Sequence, residues 1–65
     1  MNDPILLLVE ELRAGRASVA SASENLAQKG PLRAQRRADF TRASMEAGLP
    51  MQIIAQALGH RGARG

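Results

Sequence analysis

Proline and glycine fall at regular points along the chain, at Asp3-Pro4, Gly15, Gly30-Pro31, Gly48-Leu49-Pro50 and Gly59. Between these marks lie four segments, each long enough for one short helix, and none shows the period-two alternation of a half-buried strand. With 65 residues in all, such a chain has one economical solution, a compact all-α bundle of three to four short helices. We expect a single helical domain over residues 1–59 and a basic flexible tail over residues 60–65.

Each segment carries its own start and stop signals. Asp3 is placed as an N-cap and Pro4 as the first helical residue of a helix that closes near Gly15, with Ile5, Leu8, Val9 and Leu12 on its buried face. Leu6 and Leu7 fall outside that stripe, so they are either wrapped by other helices or face a partner or a second copy. The second segment puts Val19, Ala22 and Leu26 on one face. Its start is open between a Ser21–Glu24 capping box and an earlier origin at Ala17 or Ser18, and it ends through Lys29 and a left-handed Gly30. The third runs from Pro31 to Ala47 with Phe40, Ala43 and Ala47 buried and Arg36 on the same stripe, either snorkelling past the core or in a frayed first turn. The fourth begins at Pro50 and buries Ile53, Ile54, Ala57 and Leu58 before Gly59.

The core available to this bundle is thin. Of the apolar residues 17 are bulky (8 Leu, 3 Ile, 2 Val, 3 Met, 1 Phe) and 12 are Ala, and a chain of this size buries only about 60% of its unfolded surface. A stabilising partner is a reasonable expectation. There is no Cys, hence no disulfide framework or thiolate zinc site, and a cytoplasmic protein is expected. The apolar run Ile5–Val9 is far shorter than the ~20 residues of a membrane span. Asp3 before it and Glu10 and Glu11 after it do not suit a secretory signal, so no membrane partner is expected.

Charge is distributed unevenly. The formal net charge is +3; the first thirty residues set Arg13, Arg16 and Lys29 against Asp3, Glu10, Glu11 and Glu24, whereas Arg33, Arg36, Arg37, Arg42, Arg61 and Arg64 in the remainder meet only Asp39 and Glu46. Arginine forks bind phosphate bidentately, so one reading is an anionic partner, duplex DNA above all; the other is a solvated, arginine-rich helix face. The tail residues His60, Arg61 and Arg64 either add phosphate contacts or fray.

The last two helices, joined through Gly48-Leu49-Pro50, have the ingredients of a helix-turn-helix over residues 39–59, with a plain helical hairpin as the alternative. Gln52 and Gln56 on the outward face of the second helix are candidates for adenine edges, with no Arg there to read guanine. Most affinity would then come from phosphate contacts by Arg33, Arg36, Arg37 and Arg42.

The stretch Phe40 to His60, FTRASMEAGLPMQIIAQALGH, resembles the C-terminal catalytic segment of the tyrosine recombinases (phage-type integrases), where a helix, a Gly-hydrophobic-Pro turn and a helix ending in Leu-Gly-His recur. It covers about a third of the chain. The resemblance implies phosphate contacts at His60 and at Arg37 and an origin in a phage or mobile element. It departs from the family at Ala34, where a histidine is expected, and in having no tyrosine anywhere; without the nucleophile no strand cleavage is expected.

Other chemistry finds little to stand on. A single His makes no two-His metal site, and Glu10 and Glu11 diverge on a helix. No metal, cofactor, small-molecule substrate or enzymatic activity is expected. The reading is a small DNA-binding protein of transcription regulation; the alternative is a non-enzymatic helical interaction module, adaptor or inhibitor, that binds a protein partner, or a second copy as a homodimer, through Leu6 and Leu7.

Overall fold

The computed structural model describes residues 3–59, which form four helices in chain order: α1 (Pro4–Arg13), α2 (Val19–Ala27), α3 (Arg33–Glu46) and α4 (Met51–Ala57). There is no strand among the described residues. The fold is a small all-α bundle, in which α1 packs on α3 and α2 packs on both α3 and α4. Its core comprises Ile5 and Val9 of α1, Ala22 and Leu26 of α2, Phe40 of α3, and Ile54 and Ala57 of α4. Leu8, Leu12, Ala43, Ala47, Leu49 and Leu58 pack around this centre.

The helix ends follow from local chemistry. Asp3 caps α1, its side chain accepting from the Ile5 amide at 2.9 Å, and Pro4 occupies the first helical position, where no N–H is needed. The start of α2 is settled at Ser18, whose hydroxyl oxygen accepts from the Ser21 amide at 3.0 Å; the Ser21–Glu24 capping box is not used. α2 also stops sooner than expected, because Gln28 already turns into extended backbone with φ −60° and ψ 131°. Lys29 therefore lies beyond the last turn, and Gly30, which needs no positive φ here, belongs to the turn that leads into α3.

The joint between α3 and α4 is a complete Schellman turn. Gly48 adopts φ +85°, the Gly48 amide donates to the Met45 carbonyl, and the Leu49 amide reaches back to Ser44. Glycine, which lacks a Cβ, takes this backbone without strain, and Leu49, half-buried, follows it into the core. Pro50 then starts α4 without any side-chain cap.

The buried face of α3 is rotated slightly from the expected stripe. Phe40 and Ser44 are fully buried, while Ala43 and Ala47 are only partly so. A serine fits there because its hydroxyl donates to the Phe40 carbonyl one turn earlier, which removes the cost of burying it. Leu6 and Leu7, by contrast, stay outside the core, 53% and 57% exposed.

Candidate nucleic-acid interface

Three of the candidate arginines share one face of α3. Arg33, Arg36, Arg37 and Phe40 follow the i, i+3, i+4, i+7 spacing, so the arginines prolong the buried stripe of α3 beyond the point where apolar partners run out. At that point α2 and α4 both end; the Asn25 carbonyl there receives only a long bond from the Gln28 amide, at 3.4 Å, and helix ends in general leave carbonyls short of donors. Neither helix carries a basic residue in its last turn. α3 supplies the missing donors: Arg36 donates through Nη2 to the Asn25 carbonyl in the last turn of α2, and Arg37 donates through Nη2 to the Leu58 carbonyl that caps α4, at 2.7 Å. Both arginines are half-buried, and Arg36 is ordered against α2 rather than frayed.

Each guanidinium has five N–H donors, so one carbonyl leaves most of its fork unused. Arg33, one turn earlier, is exposed. The ion pairs among the described residues join Arg13 to Glu10 at 3.9 Å and Arg16 to Glu11 at 3.4 Å; none involves the α3 arginines. Three cationic groups thus stand at one corner of the bundle without a carboxylate partner.

Arg42 is in different company. It lines a groove of about 300 Å³ between α1 and α3 together with Asp3, Leu6, Asp39 and Glu46. Three carboxylates around one guanidinium repel a polyanion, so the structure does not bring Arg42 into the α3 corner. A second groove, of about 470 Å³, places Asp3 and Asp39 on one flank of Arg36, beside Asn25 and the exposed Leu32.

Gln52 and Gln56 are exposed and four residues apart on α4. Since Arg37 meets Leu58, Gln56 lies within about one turn of the arginine corner and Gln52 about one turn further away. His60, Arg61 and Arg64 lie outside the described residues.

Sequence reasoning missed the carbonyl contacts of Arg36 and Arg37 and the buried Ser44. The signal was there: counting back from Phe40 in steps of three and four reaches Arg37, Arg36 and Arg33, and counting forward reaches Ser44. Among the described residues no group of three or more His, Cys, Asp or Glu side chains is arranged to hold a metal ion, and no helix is long and apolar enough to cross a membrane. Comparison of the chain with protein-family models, with curated proteins and with solved structures finds no match.

Proposed function

We propose that the protein binds duplex DNA as a small regulatory protein of phage or mobile-element origin, with α3 and α4 acting as a helix-turn-helix. The observation that carries this reading is the corner formed by Arg33, Arg36 and Arg37, three guanidinium groups on one helix face with no carboxylate paired to them. A phosphate contact at Arg33, in the positive field of that corner and extended by His60, Arg61 and Arg64, supplies affinity without sequence information. Gln52 and Gln56, exposed on α4, supply a limited base readout in the major groove. Arg42, surrounded by carboxylates, takes no part. The proposed role is binding without chemistry.

The test is fluorescence anisotropy with a labelled duplex across a salt series. Affinity should fall steeply with salt, with a slope equivalent to about four phosphates. Arg33→Glu, at an exposed position with no partner to lose, should weaken binding to every sequence; Gln52→Ala with Gln56→Ala should flatten sequence preference. Absence of binding at low salt refutes the proposal.

The exposure of Leu6 and Leu7 on α1 favours a second reading, a helical protein-interaction module or homodimer. Sedimentation equilibrium of the intact chain tests the homodimer. A monomer at all concentrations would restrict that face to a different protein.

A further inference from the structure

We infer that Arg37 is a positioning residue, which holds the C-terminal end of α4 against α3, and that Arg33 is the α3 arginine whose whole fork is available for a phosphate. The inference deepens the DNA-binding reading and rests on it for the role of Arg33. It departs from what the sequence suggests, since both the charge pattern and the recombinase-like segment place Arg37 on a phosphate.

α4 has only seven residues and no side-chain N-cap. Two helical turns are not stable by themselves, so α4 exists because of what it packs against. Its fully or nearly fully buried anchors are Ile54 and Ala57, with Leu58 packed beside the core. A polar fixed point is added at the Leu58 carbonyl, which receives the Arg37 guanidinium at 2.7 Å across 21 positions of sequence. A cation at that place also opposes the partial negative charge at the helix C-terminus. Arg36 does the same for α2 through the Asn25 carbonyl, so adjacent residues of α3 clamp two helix ends. Thr41 further holds this part of α3, its hydroxyl donating to the Arg37 carbonyl at 2.9 Å. Loss of the Arg37 contact leaves the Leu58 carbonyl to water and frees α4, and with it Gln52 and Gln56, to change orientation.

The experiment uses the full chain and three variants, Arg37→Gln, Arg37→Lys and Arg33→Gln. Three quantities are read: the thermal midpoint by circular dichroism, hydrogen exchange of the Ala57 and Leu58 amides, and the slope of log affinity on log salt for a labelled duplex. A positioning role predicts that Arg37→Gln lowers the midpoint and speeds exchange in α4 about tenfold, the loss of one charge-assisted hydrogen bond. It weakens DNA binding without changing the salt slope. Arg37→Lys, which still donates to the carbonyl, restores most of each property. Arg33→Gln leaves midpoint and exchange unchanged and lowers the slope by about 0.9. The inference is overturned if Arg37→Gln lowers the slope by that amount while midpoint and exchange stay at the wild-type values. If the wild-type chain shows no salt-dependent binding, the DNA-binding reading and the role of Arg33 fail together, and the exchange and midpoint data alone decide whether Arg37 clamps α4.

Discussion

Phe40 is the only aromatic residue of the chain and is fully buried, where buried side chains from all four helices converge. Replacing it by alanine removes about 150–250 Å² of buried aromatic surface and leaves a cavity that its small neighbours Ala22, Ala57 and Ser44 cannot fill. Such truncations cost about 3–5 kcal/mol. A domain of this size has a total stability of about 3–10 kcal/mol, so Phe40→Ala consumes a third or more of it. Phe40→Leu, which keeps most of the volume, should cost no more than about 1.5 kcal/mol. With no Trp or Tyr to report by fluorescence, the assay is urea unfolding followed by far-ultraviolet circular dichroism. At a slope of ~1 kcal/mol/M, Phe40→Ala should lower the midpoint by about 3 M or leave the chain unfolded without denaturant. Met45→Ala, at a residue 55% exposed, is the control and should change stability by less than about 0.5 kcal/mol. A Phe40→Ala midpoint within about 0.5 M of wild type would refute the assignment of Phe40 as the centre of the core.

Three other outcomes follow from the helix ends and the surface. Asp3→Ala leaves the Ile5 and Leu6 amides without their acceptor and should cost about 1 kcal/mol, read from the same urea titration. Gly48→Ala meets nothing within 4 Å but must hold φ +85°; the expected loss is ~1–2 kcal/mol from backbone strain alone, and a stabilised variant would contradict the turn geometry. Replacing both Leu6 and Leu7 by Gln should leave the thermal midpoint nearly unchanged, because neither is buried. A large drop in midpoint would show that these leucines belong to the core of the monomer.

Much of this architecture is legible in the sequence because it is written in local chemistry. Asp3-Pro4 specifies the start of α1, Gly48-Leu49-Pro50 the joint between α3 and α4, and Gly59 the stop of α4; each depends on the backbone preference of one or two residues. The fourfold division and the burial of Ile5, Val9, Ala22, Leu26, Phe40, Ile54 and Ala57 follow from helical spacing in the same way. Where two local signals competed, spacing did not choose between them: Ser18 and Ser21 both have capping chemistry, and the extended Gln28 displaced the stop expected at Gly30.

The roles of the α3 arginines are a different matter. Arg33, Arg36 and Arg37 read alike in the sequence, as cations on one helix, and only tertiary packing separates them. Arg36 and Arg37 sit where α2 and α4 end and donate to carbonyls there; Arg33 lies one turn earlier on α3 with no such contact; Arg42, on another face, lines a groove with Asp3, Asp39 and Glu46. Ser44 likewise became a core residue because α3 settled with that position inward and the Phe40 carbonyl within reach. The sequence alone thus determined the division into short helices, the ends of α1 and α4, the joint between α3 and α4 and most of the apolar faces, which depend on neighbours a few residues apart. The tertiary structure decided which charges hold the bundle together and which face outward, because that depends on groups as far apart as Arg37 and Leu58.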